Sequence, residues 1–114
     1  MIVKELIPLI EGKLVCGDPD SSHQMKLAFA SDLMSDVLTL DSNNPLLITG
    51  LCNLQTIRTA EMADIHVIIF ARNKKVTEEM IHLATQHNMM LIETPYSIFR
   101  ISGILYKQGI KPIY

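Results

Sequence analysis

Apolar residues follow two alternating rhythms along this chain. Near-continuous apolar runs of strand length occur at LLITG (46–50), HVIIFA (66–71) and MMLIET (89–94). Runs without polar alternation suit strands covered on both faces. KLVC (13–16) is a weaker strand candidate, and KLAFA (26–30) reads as a strand or as a helix entrance.

The gaps carry helical spacing. Residues 53–64 open on Asn53 as N-cap and place Leu54, Ile57 and Ala60 on one stripe, with Ala63 close by. Residues 77–87 open on Thr77, carry Glu78 and Glu79 where the helix dipole favours anions, and turn Met80, Ile81, Leu83 and Ala84 inward; Asn88 is the left-handed stop. Residues 97–108 start at Ser97, bury Ile98, Ile101 and Leu105, and stop at Gly109 with Lys107 in the last turn. A shorter helix over 32–40 is expected to face Leu33, Met34, Val37 and Leu38 inward. Val3, Leu6, Ile7 and Ile10 predict a short first helix kinked at Pro8.

Strands separated by 12- to 16-residue helical connections need right-handed crossovers, which give a parallel sheet. The expected fold is α/β: one three-layer domain spanning 1–114, its mostly parallel sheet of four or five strands flanked by helices. The chain has 114 residues, 48% of them hydrophobic and 19% charged, which excludes disorder. Folding can bury about two-thirds of the unfolded surface, enough for a core without staples. A net charge of −2 argues against a nucleic-acid binder, which needs a surplus of clustered Lys and Arg. No apolar run reaches the ~18 residues of a membrane span, and MIVKELIPLIEGK lacks the basic head and long apolar stretch of a secretion signal. Cys16 and Cys52 are too few for a disulfide framework, so they read as reduced, mostly buried thiols of a cytosolic protein.

A parallel sheet gathers its functional loops at the carboxyl ends of its strands, where helix N-termini also point. Three such loops are legible: 49–53, 71–75 and 94–97. They offer helix-start amides at Asn53 and Ser97, hydroxyls at Thr49 and Thr94, and cations at Arg72, Lys74 and Lys75, an inventory that suits a phosphate or an adenine nucleotide. Each residue alone is as readily a cap, a turn or a solvated cation; the convergence of three loops carries the reading.

Catalytic machinery is not visible. A phosphate-binding loop needs glycines followed by Lys and Ser or Thr, and neither Gly12-Lys13 nor Gly103 and Gly109 supplies that frame. GDPDSSH (17–23) places His23 where a calcium loop needs glycine, so it reads as a turn; His82 and His87 are off the spacing that aligns two ligands, and His66 opens a strand. No metal and no obligate cofactor is expected. Cys52 stands before a helix, where the dipole lowers a thiol pKa, but no histidine is near it in sequence, and an inert thiol is the stronger reading. Arg58 and Glu61 are a surface helix pair.

Gly103 is unexpected inside a helix, where glycine costs about 1 kcal/mol relative to alanine, and so suggests close approach of the sheet or of a second subunit. With Ile104, Tyr106, Ile110, Ile113 and Tyr114 it makes the C-terminal end apolar enough for an interface, either of a homodimer or with a regulatory partner protein.

The order of four segments, ASDLMSDVLTL (30–40), TGLCNLQTIRTAEMADI (49–65), VIIFARNKK (67–75) and ETPYSIFRISGILYKQGI (93–110), resembles a DRTGG-domain protein. More narrowly, it is similar to the short stand-alone form related to the N-terminal domain of HPr kinase/phosphorylase. Cys52-Asn53 stands where the family has Asp-Arg, and Ala71-Arg72-Asn73 where it has Thr-Gly-Gly. The resemblance implies a non-catalytic, oligomerising regulatory module that accompanies phosphotransacetylase or CBS units in larger proteins. It also implies a bacterial setting in redox or hydrogen metabolism. A nucleotide- or phosphate-sensing domain is the alternative.

Overall fold

The computed structural model describes residues 1–40 and 44–114. Its elements run α1 (Val3–Leu9), β1 (Lys13–Cys16), β2 (Leu27–Ala30), α2 (Met34–Val37), β3 (Leu46–Thr49), α3 (Leu54–Met62), β4 (Val67–Phe70), α4 (Glu78–Gln86), β5 (Met90–Glu93), α5 (Ile98–Lys107) and β6 (Lys111–Pro112). Among the described residues the sheet has six strands, ordered β1-β5-β4-β3-β2-β6. Every pairing is parallel except β1 with β5.

The central strands form where the apolar runs predict them, and their residues alternate between two cores. Leu46, Ile48, Val67, Ile69, Met90 and Ile92 face α1 and α5, where Val3, Leu6, Ile101 and Leu105 pack. Leu47, Ile68, Phe70 and Leu91 face the other side, against Val37, Ile57, Ala60, Met80 and Ala84. Handedness accounts for this division. Crossovers from β2 through β5 advance in one direction and keep α2, α3 and α4 on one face; the return from β5 past three strands to β6 reverses direction and puts α5 on the other.

The helix starts follow the predicted caps: Asn53 accepts from the Thr56 N–H, Thr77 from Met80 and Ser97 from Arg100. Pro8 lies inside the last turn of α1, where its missing N–H leaves the Lys4 carbonyl without an intrahelical donor. Four expectations need correction. The sheet exceeds five strands because β6 adds a two-residue edge beside β2, which takes the strand reading of its segment over Leu27–Ala30. The helix expected over 32–40 is a single turn, so Val37 reaches the core while Leu33 and Leu38 stay 58% and 51% exposed. Ile110 is buried: Gly109, at φ 97°, ends α5 and turns the chain into the sheet, where the Lys111 N–H donates to the Lys26 carbonyl. Around Gly103 an added Cβ would meet nothing within 4 Å outside its own helix, so among the described residues the sheet does not come close to it. Among the described residues no helix is long and apolar enough to cross a membrane.

Candidate functional site

The parallel register brings Ala30, Thr49, Phe70 and Glu93 to one edge of the sheet, where the predicted loops open. The loop after β3 is organised by a carboxylate from the loop after β2. Asp32 Oδ1 accepts from the Gly50 N–H at 2.6 Å and from the Thr49 hydroxyl at 3.0 Å. Its Oδ2 lies 3.8 Å from Arg72 Nη2, with both side chains about half exposed. The Arg72 guanidinium covers Gly50, whose missing side chain makes the room: a Cβ there would fall on it.

The loop after β4 turns sharply, with Arg72 and Asn73 at φ 61° and 60°. Its amides are already engaged: Arg72 N–H donates to Tyr96 O and Asn73 N–H to Thr94 O, both at 2.9 Å. Beyond the turn, Glu93 Oε2 accepts from the Val76 N–H at 2.8 Å and Oε1 sits 3.7 Å from Lys75 Nζ. The Cys52 thiol donates to Lys75 O at 3.3 Å. Burial pushes this thiol above its ordinary 9.0, the Glu93 carboxylate pushes the same way and Lys74 opposes them. Desolvation thus overrides the lowering expected from a helix start.

The loop after β5 crosses to the other face. Thr94 donates to Ile10 O at 2.6 Å and accepts from the Tyr96 N–H at 3.1 Å. The Arg100 guanidinium stacks 3.7 Å over the Tyr96 ring, a cation–π contact at the start of α5.

The predicted ligand residues therefore separate. Arg72, Lys74, Asn53 and Ser97 are exposed at the edge, and Lys75 joins them. Thr49 and Thr94 are buried with their hydroxyls donated within the chain, Thr49 to the Asp32 carboxylate and Thr94 to Ile10 O. Asn53 and α3 belong to one face of the sheet, Ser97 and α5 to the other. The connections after β4 and β5 diverge to opposite faces, which makes the gap between these strands the switch point where open α/β sheets take their ligands. Here that gap is bridged by the Arg72 and Asn73 amides, and the cations project from it. Sequence reasoning missed Asp32 and Glu93. Only the register shows that an acid after β2 and one ending β5 meet the cations.

A separate cavity of about 320 Å3 lies at the opposite edge of the sheet, lined in part by Cys16, His23, His66 and Asn88. Both cysteines are unpaired. Among the described residues no group of three or more His, Cys, Asp or Glu is placed to hold a metal ion.

No protein-family model and no curated protein matches the sequence. Among solved structures, the chain is similar to the crystal structure of the CBS and DRTGG domains of the regulatory region of Clostridium perfringens pyrophosphatase, complexed with the activator diadenosine tetraphosphate. The TM-score is 0.74 at 14% identity, covering 97% of this chain and 47% of that one. The chain thus spans about half the length of that structure. At this identity the likeness establishes the fold, and it is the DRTGG-like fold that the segment order resembles.

Proposed function

We propose that this chain is a non-catalytic regulatory domain that senses a small phosphate-bearing ligand at the strand-end edge. The observation that carries the reading is the placement of Arg72, Lys74 and Lys75, all exposed, on one loop at the switch point, beside the start of α3. Arg72 offers a planar fork to a phosphate and the lysines offer point charges. Asn53 satisfies the Thr56 amide, and the amides of Leu54 and Gln55, at the helix start, have no intrahelical acceptor. The shared fold supports the reading, because the similar structure is a regulatory region complexed with diadenosine tetraphosphate.

Calorimetric titration with adenine nucleotides, acetyl phosphate and inorganic phosphate tests it. The reading expects binding by at least one of them, weakened tenfold or more when Arg72 and Lys74 are both changed to Ala. No heat and no thermal shift at millimolar ligand would overturn it.

A specific feature of α5 favours a protein contact as the output. Phe99 and Tyr106 are 89% and 68% exposed and flank the open Gly103, with Ile104 partly buried beside them. Such a face suits a second copy of the chain or a regulatory partner. Tyr114, 89% exposed, packs instead beside Phe29 with ring centroids 6.1 Å apart, Ile113 is partly exposed, and Ile110 is buried in the core that α5 covers. Sedimentation at micromolar concentration is expected to show a dimer that Tyr106→Glu dissociates. A monomer for the unchanged chain removes self-association. Kinship with the HPr kinase/phosphorylase N-terminal domain, a bacterial cytoplasmic setting and a link to redox or energy metabolism complete the proposal.

A further inference from the structure

The Asp32 carboxylate occupies the position that an anionic ligand of this edge would take. One of its oxygens collects two donors, the Gly50 N–H and the Thr49 hydroxyl, and the other faces the Arg72 guanidinium. We propose that Asp32 is an internal competitor: a phosphate that takes over its contacts with the Gly50 N–H and the Arg72 guanidinium displaces this carboxylate. Resting on the ligand reading above, the proposal adds how the site is gated and which ligands pass.

The geometry makes the competitor displaceable. The 3.8 Å ion pair joins half-exposed partners and contributes little, and the two hydrogen bonds that Asp32 Oδ1 accepts can pass to a phosphate oxygen. Asp32 also sits on a weakly anchored stretch. Ser31 still donates to Ile48 O, but the following turn, α2, fixes itself with one fully buried side chain, Val37, while Leu33 and Leu38 lie exposed. Moving the carboxylate therefore shifts a short segment and leaves the sheet intact, so occupancy of the edge is converted into a changed surface around Leu33 and Leu38.

Tethering sets the selectivity. A carboxylate held on the same chain competes at an effective concentration in about the millimolar range, so a single weakly held phosphate is excluded at lower concentrations. An oligophosphate can engage Arg72 together with Lys74 or Lys75, and it displaces Asp32 where a monophosphate fails. The ligand class this favours carries two or more linked phosphates.

The test is calorimetric titration of inorganic triphosphate, with inorganic phosphate for comparison. It uses the unchanged chain, Asp32→Asn, Asp36→Asn and Arg72→Ala at fixed ionic strength. Asn keeps an oxygen for Thr49 and Gly50 but loses the charge that holds Arg72. Asp36→Asn makes the same change in net charge on α2 itself. The expected result is roughly tenfold tighter triphosphate binding in Asp32→Asn, no change in Asp36→Asn, and loss in Arg72→Ala. Triphosphate is also expected to bind more tightly than phosphate. Equal or weaker binding in Asp32→Asn, with Arg72→Ala still defective, overturns the competitor and leaves the ligand reading standing. Absence of binding in every protein removes both. Should Asp32→Asn fail to fold, amide NMR of the unchanged chain decides. Triphosphate-induced shifts at Gly50 accompanied by shifts over Asp32–Leu38 support displacement, and shifts at Gly50 alone overturn it.

Discussion

Thr94 shows how a residue chosen for one role serves another. Its hydroxyl ties the end of β5 to the carbonyl that closes α1, at Ile10, and turns the chain at Tyr96. Thr94→Val leaves both partners unsatisfied in a buried place and is expected to cost about 1–3 kcal/mol, read as a lower denaturation midpoint. Gly50 makes the opposite case. Its added Cβ would meet only the flexible end of Arg72, so Gly50→Ala is expected to leave stability nearly unchanged while weakening anion binding severalfold by moving the guanidinium. Cys52 gives a pH signature. Its folded thiol holds the proton more tightly than the unfolded one, chiefly through burial. The stability this contributes is fully present below the unfolded pKa and is lost as pH rises from there through the folded value. Unfolding midpoints followed from neutral pH to above 9.0 are expected to fall more steeply for the unchanged chain than for Cys52→Ser. Parallel curves would mean that the thiol is not perturbed.

Among the elements, what the sequence makes legible depends on how much of the signal is local. β3, β4 and β5 are visible because parallel strands buried on both faces must be apolar throughout, and α3, α4 and α5 because their caps and stripes are contiguous. β6 is not visible: two exposed residues ending in Pro112 carry no strand pattern, and only pairing with β2 makes them a strand. α2 is shorter than its apolar spacing suggests, and a single turn buries one position fully, Val37, while Leu33 and Leu38 stay exposed. Glycines are the hardest to read. Gly17 is required, at φ 113° with an added Cβ 2.6 Å from Met90 Cγ and 3.2 Å from its Cα, whereas Gly103 has open space around it. The same substitution should therefore have opposite signs. Gly103→Ala is expected to stabilise the monomer by about 0.5–1 kcal/mol, and Gly17→Ala to destabilise it by about 1–3 kcal/mol, both measured by denaturant unfolding.

For the molecule as a whole, the candidate edge was half legible. Strand order and loop composition put Arg72, Lys74, Asn53 and Ser97 at one end of the sheet. The carboxylates that restrain the cations, Asp32 and Glu93, are fixed by which strand lies beside which, and that information is not local. The same topology separates the edge from the cavity near His23 and His66 at the other end. An amide NMR titration of the isotope-labelled chain with ATP therefore tests the central claim most directly. The account predicts shifts concentrated at residues 50–55 and 71–75, saturating with added nucleotide. Shifts centred instead on His23, His66 and Asn88, or no shift at millimolar nucleotide, would contradict it.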